Sequence, residues 1–249
     1  MSAATGIAFD SLAANYDALW TGTAIGMSQR HAVWGRIDSL FQQGDLVLDL
    51  GCGTGEDALH LGSRGIQVYA IDASAAMVGI ARERGVNAHR STVEALANLE
   101  GEFNGVLSNF GVLNCVHDLA SLGSHLSRLV LPDGFVAICV MSLFCLRETL
   151  HFLVRGKLRH AFRRLARRKL RASLGFDIHY PSAAHLRWAF GDKFELIGWY
   201  GVGLCVPPSY IRGIGDKAVD RLSRIDRRLA HLPVFRAMAD HRLFLFKRL

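Results

Sequence analysis

Apolar positions run almost without interruption through Leu46, Val47, Leu48 and Leu50, the pattern of a strand buried on both faces. Gly51-Cys52-Gly53-Thr54-Gly55 follows, and Ala58, Leu59 and Leu61 then fall at helical spacing, so the pattern predicts strand, glycine turn, helix. A second apolar run, Ile66 to Ile71, ends at Asp72, and a helix capped by Ser74 comes next. A crossover of this length returns the chain to a parallel neighbouring strand. Further strands are predicted at Val86 to Arg90, Phe103 to Ser108, through LPDGFVAICVMS, at Phe194 to Val202 and at HRLFLFKR. Helical faces are predicted over 9–20 (Phe9, Leu12, Ala13, Tyr16, Trp20), through Val33, Trp34, Ile37, Leu40 and Phe41, after Asp118, from Pro181-Ser182, and over 214–230 with Val219, Leu222, Ile225 and Leu229 inward.

The glycine turn is where a ligand would lie. Its three glycines let backbone approach a bound molecule closely, and the following helix offers unpaired N–H groups. Asp72, ending the adjacent strand, stands within reach of a ribose, whose two vicinal hydroxyls a carboxylate can accept. The dinucleotide pattern G-x-G-x-x-G is not met, because the third glycine comes one position early and Glu56 stands where the last should be. VLDLGCGTG, with Asp49 two positions before the first glycine and Asp72 ending the next strand, instead resembles motif I of class I S-adenosylmethionine-dependent methyltransferases.

The resemblance covers residues 9–141 and, more loosely, the last strands. It implies a doubly wound α/β fold: a seven-stranded, mostly parallel, Rossmann-like sheet with an α-helical cap inserted after the fifth strand and the last strand antiparallel beside the fifth. Within 1–249 it implies a helical lid over 1–43, a cofactor-binding core over 44–141, a basic cap over 142–190 and closing strands and helix over 191–249. The cofactor implied is S-adenosyl-L-methionine, with Asp49, Gly51, Cys52, Gly53, Gly55, Asp72 and Ala73 around the turn and Met77 near the adenine. FDSLAANYD followed by Arg30 resembles a family lid in which a tyrosine and an arginine close over the amino-acid end of the cofactor, here Tyr16 and Arg30; a core tyrosine and a solvated arginine are the plain alternative. Where the family carries an acid toward the adenine amino group this chain has Thr92, leaving Thr92, Val93 and Glu94 as candidates. Asn109 and Phe110 end the fourth strand facing the cleft, without the prolines of amino-methylating or cytosine C5 enzymes.

Composition narrows the picture. Five scattered cysteines without a C-x-x-C point to free thiols in a reducing compartment, so no metal is expected and the protein reads as cytoplasmic. No run reaches the ~20 apolar residues of a membrane span. The net charge of +7 is concentrated, with nine Lys or Arg and no acid between Arg155 and Arg171. There Leu158, Ala161, Phe162, Leu165, Ala166 and Leu170 form one helical stripe with arginines on the remaining positions. Such a helix is a solvated lid, a contact with anionic membrane or lipidic substrate through 155–171, or a nucleic-acid surface; the near absence of stacking aromatics argues against the last.

The reaction implied is in-line transfer of a methyl group to a small-molecule, apolar or lipidic acceptor. An RNA or protein methyltransferase docking through the arginines and a non-catalytic cofactor-binding module are the alternatives. A general base, if used, would be His117, His151 or His179, with Tyr180 also at the cap's return to the cleft; for His117 a plain turn beside the helix cap Asp118 is the simpler reading.

Overall fold

The computed structural model describes residues 3–166, 169–171, 177–211 and 213–249. Helical pieces come first: α1 (Ala3–Asp10), α2 (Ala13–Tyr16), a π-helical turn over Asp17–Thr21, and α3 (Ala24–Ile37). Strands and helices then alternate as β1 (Leu46–Leu50), α4 (Glu56–Ser63), β2 (Gln67–Asp72), α5 (Ala75–Glu83), β3 (Ala88–Arg90), β4 (Phe103–Ser108), α6 (Leu119–Leu129) and β5 (Val130–Met141). The cap holds α7 (Leu146–Leu153), α8 (Leu158–Ala161), α9 (Arg163–Ala166) and a small antiparallel ribbon of β6 (Lys169–Arg171) and β7 (Asp177–His179). The chain closes with α10 (Ala183–Phe190), β8 (Phe194–Val202), α11 (Asp216–Leu229), α12 (Pro233–Ala237) and β9 (His241–Arg248).

One seven-stranded sheet runs in the order β3-β2-β1-β4-β5-β9-β8, with β9 antiparallel to both neighbours, as the sequence resemblance implies. Successive strand residues face opposite layers. Leu48 and Leu50 therefore join Leu122, Leu126 and Leu129 of α6 and Leu186 and Phe190 of α10, while Val47 joins Val33 and Ile37 of α3 and Leu61 of α4 on the other face. The strand order reverses between β1 and β4, so the crevice at their carboxyl ends is the natural ligand position.

Three helical expectations are corrected. Residues 9–20 do not form one helix: α1 ends at Asp10 because its carboxylate leaves the helix to accept from Ser74 Oγ (2.5 Å) and the Ala76 amide (3.0 Å), docking α1 on the start of α5. Gly6 makes that contact feasible, since a Cβ there would stand 2.4 Å from the Ala73 carbonyl oxygen. The stripe over 158–170 is likewise broken at Phe162, and Lys169–Arg171 is extended. Helix periodicity could not register that Arg163 and Arg164 turn inward to meet two buried carboxylates, Glu148 and Asp240. Arg167 and Arg168 lie outside the described residues. In α11, Ile225 faces solvent, and the next residue, Asp226, is buried where it accepts from the amides of Cys205 (2.6 Å) and Val206 (3.1 Å).

The contact of α6 with α10 depends on Gly123, whose Cβ would meet the Ala189 carbonyl oxygen at 2.4 Å. Backbone cannot yield as a side-chain end can, so Gly123→Ala is expected to lower stability by about 1–3 kcal/mol in urea unfolding. An unchanged urea midpoint would show that the two helices do not pack this closely.

Candidate active site

The strand ends and the lid enclose a cavity of about 290 Å³. Its floor is the glycine turn. Gly51 has φ +83°, and a Cβ on it would lie 2.3 Å from Val112 Cγ2, so both conformation and space require glycine. The amides of Gly51 and Cys52 both donate to the Ile71 carbonyl (2.8 and 3.0 Å), tying the turn to the end of β2. Asp72 completes that tie, accepting from the amides of Gly53 (2.9 Å) and Ser74 (2.8 Å), one on each oxygen. A carboxylate has about four lone-pair positions, so each oxygen keeps capacity toward the cavity it lines. Burial pushes this carboxyl above the ordinary range, against the bonds from Ser74 and Gly53.

The amino-terminal helices are anchored by a buried carboxylate in the first turn of α4. Asp57 accepts from Arg30 Nη1 (2.5 Å), Trp34 Nε1 (2.7 Å) and Asn109 Nδ2 (3.1 Å), joining α3, α4 and the end of β4. The Arg30 guanidinium lies 5.0 Å from the Trp20 ring and 5.2 Å from the Phe110 ring. Phe110 has φ +50°, a strained conformation for a bulky residue, and its ring also meets His241 edge-on at 5.3 Å. Two buried atoms near this wall lack hydrogen-bond partners among the described residues, Arg30 Nε and Asp49 Oδ2. Burial and then the neighbouring Asp57 hold the Asp49 carboxyl well above its usual range.

The far wall is built by the cap and by β9. Arg164 is buried, with Nη2 2.5 Å from Glu148 Oε2 and 2.7 Å from Asp240 Oδ1, while Nη1 donates to the Ser142 carbonyl at 3.1 Å. Cys145, Glu148 and Asp240 lie close enough together to hold a cation, and Arg164 already supplies the positive charge for both carboxylates. Burial alone would raise the Asp240 carboxyl, but His241 and then Arg164 outweigh it and hold it well below the ordinary range. Its folded-state value is depressed, so this carboxylate adds stability above the ordinary carboxylate range and loses it as pH falls through the folded value. His241 Nδ1 stands 3.2 Å from Asp240 Oδ2, and the ring lines the cavity.

Of the residues the sequence singles out, Tyr16, Arg30, Gly51, Cys52, Gly53, Asp72, Met77, Asn109 and Phe110 line this one cavity. Asp49, Gly55 and Ala73 stand behind its wall, Gly55 against Ala81 and Val86 and Ala73 against Gly6. Thr92, Val93 and Glu94 are not in the lining, nor is any of the four proposed acid-base residues. His117, His179 and Tyr180 instead surround a separate groove, and His151 sits on the outer side of α7 with Nδ1 2.9 Å from Arg155 Nη1. The β7 ribbon is turned that way by Asn114, which is fully buried and donates to the His179 carbonyl at 2.6 Å. Sequence reading missed Asp57, Arg164, Asp240 and His241, because Asp57 is bonded to Trp34 23 residues away, Arg164 and Asp240 pair across 76 residues, and His241 stands beside that pair.

Residues 47–134 match the family model of the methyltransferase domain. Demethylmenaquinone methyltransferase of Thermobifida fusca (strain YX) is 33% identical over 143 residues, 54% of this chain and 59% of the relative. The 2-phytyl-1,4-naphtoquinone methyltransferase of Trichormus variabilis is 32% identical over 145 residues, 52% of this chain and 61% of the relative. The chain thus spans about three fifths of the length of these curated relatives. Among solved structures, an S-adenosylmethionine dependent methyltransferase from Mesorhizobium loti superposes with TM-score 0.56 at 17% identity, covering 87% of this chain and 98% of that one. The segment 47–134 thus matches the methyltransferase domain, and the sheet shares the fold of the solved S-adenosylmethionine dependent methyltransferase.

Asp57→Ala would leave Arg30 buried without its anion. Breaking a buried pair from one side costs about 3–5 kcal/mol, so a loss of that size is expected in chemical unfolding. A loss under about 1 kcal/mol, the range of an exposed pair, would show that Asp57 does not anchor the lid.

Proposed function

We propose, from the methyltransferase domain at its core, that this protein binds S-adenosyl-L-methionine in the cavity above Gly51–Gly53 and transfers its methyl group to a small apolar acceptor. One observation carries the reading. Asp72, with acceptor capacity left on both oxygens, and the glycine turn line the same cavity as an apolar far wall of Phe110, Val112, Met141 and Ile178.

The residues fit the cofactor. Asp72 would hold the ribose hydroxyls, and Met77 and Phe9 offer apolar surface on the same side. Arg30 Nε, a buried cationic donor in the cavity lining with no hydrogen-bond partner among the described residues, suits the carboxylate of an amino-acid end. When bound, S-adenosylmethionine supplies a methyl group on a sulfonium, a good leaving group. The chain's own task is then to exclude water, align the acceptor and take up a proton. Alignment of this kind can be worth ~7–11 kcal/mol.

His241 is the side chain placed for the proton. Its ring lines the cavity, and its Nδ1 stands 3.2 Å from Asp240 Oδ2, a neighbour that can orient the imidazole. The relatives bear the names of quinone methyltransferases, and an apolar ring acceptor with an ionisable hydroxyl suits this wall. The alternative of docking a protein or RNA finds no support at the cavity, whose lining includes the apolar Pro208, Val112 and Ile178.

Two measurements test the reading. Calorimetric titration with S-adenosylhomocysteine is expected to show binding that Asp72→Ala weakens by about a hundredfold or more, two hydrogen bonds to a charged group being lost; equal affinities would remove the ribose site. With a reduced naphthoquinone as acceptor, His241→Gln is expected to lower kcat by about 10²–10⁴-fold with KM nearly unchanged. A rise in KM alone would make His241 a contact rather than a base.

A further inference from the structure

The cap sorts its charges by side. Arg163 and Arg164 face inward, where Glu148 lies 2.6 Å from Arg163 Nε and 2.5 Å from Arg164 Nη2. The tip that joins α7 to α8 is the opposite: every residue from Leu153 to His160 is exposed, and the segment holds Arg155, Lys157 and Arg159 with no acid. Exposed among these cations are Val154 at 86% and Leu158 at 62%, with Leu150, Leu153, Phe162 and Leu165 beside them. Clusters of large exposed apolar side chains mark contact sites rather than ordinary surface.

We infer that this tip is a docking surface for an anionic lipid bilayer, seated with Val154, Leu158 and Phe162 in the interfacial layer and Arg155, Lys157 and Arg159 among the headgroups. The inference does not depend on the methyl-transfer reading.

The composition chooses the occupant. A protein-protein interface buries its apolar centre with charge displaced to a rim, whereas here cations alternate with apolar residues along the sequence, the arrangement of interfacial membrane segments whose long basic side chains reach outward from an apolar bed. The tip is also pre-shaped. Its turn is closed by the amides of Gly156 and Lys157 donating to the carbonyls of Leu153 (2.9 Å) and Phe152 (2.9 Å), with Gly156 at φ +68°, so docking need not order it. No helix among the described residues is long and apolar enough to cross a membrane, so contact through this tip would be peripheral. The tip continues directly into α9, whose Arg164 lines the cavity, so a bilayer seated here lies beside the wall that an apolar acceptor must pass.

Co-sedimentation with phosphatidylcholine vesicles containing phosphatidylglycerol tests the inference on the full chain. Binding is expected at low salt and to fall steeply as ionic strength rises, with each of Arg155, Lys157 and Arg159 worth about fivefold in partitioning and the triple serine variant down about a hundredfold. The double variant Val154→Asp, Leu158→Asp should also release the protein while S-adenosylhomocysteine affinity and melting temperature stay unchanged, since both positions are exposed. No sedimentation with anionic vesicles at low salt, or equal binding to pure phosphatidylcholine, overturns the inference. So does concentration-dependent self-association that the double variant abolishes in the absence of vesicles, which would make the tip an interface between copies. Failure of the wild type to bind S-adenosylhomocysteine with vesicle binding intact would instead strike only the proposed methyl transfer.

Discussion

The hold of α3 on the cavity depends on one buried carboxylate. Asp57 stands in the first turn of α4, and its two oxygens satisfy donors from Arg30, Trp34 and Asn109. Without it, a guanidinium and an indole N–H would be buried with no acceptor, a cost that packing alone does not recover. Because two of the donors come from α3 and the third from the end of β4, the same carboxylate sets the spacing between the lid, the glycine turn and the strained Phe110. A position that in dinucleotide-binding turns would be held by close helix–sheet packing is here next to a polar hub, which is why Glu56 and Asp57 can follow the third glycine directly.

The opposite wall follows the same rule with different partners. Asp240 and Glu148 share the buried Arg164, and Asp240 reaches His241 as well. The cavity thus has two buried ionic clusters in its walls, one beside the site proposed for the cofactor and one beside that proposed for the acceptor. Such clusters contribute little net stability compared with apolar packing, but each fixes the orientation of one side chain that faces the cavity, Arg30 in the first case and His241 in the second.

The fold was legible because its signals are local. β1, the turn and β2 follow from apolar runs and glycines within thirty residues, and the caps Ser74, Asp118 and Ser182 each accept from an amide three residues on, as their identities predict. The cofactor side of the cavity was legible for the same reason, since Gly51, Gly53 and Asp72 belong to adjacent strand ends. The acceptor side was not. His241 begins the last strand and is brought to the cavity only by the antiparallel pairing of β9 with β5, where it stands opposite Met141. The histidines chosen from sequence lie away from this cavity; for His179 the reason is Asn114, which bonds the β7 backbone on the side of the second groove. The basic cap was misread as one stripe because periodicity records which residues are apolar and not that two arginines are needed inside.

The central claim is spatial: that the cavity between the glycine turn and His241 is a single site for a nucleoside cofactor and an acceptor. A crystal structure grown with S-adenosylhomocysteine tests it most directly. The account predicts the ribose against Asp72, the amino-acid end toward Arg30, and the sulfur facing the Phe110 and His241 wall. Density for the ligand elsewhere, or with the ribose turned away from Asp72, would contradict it.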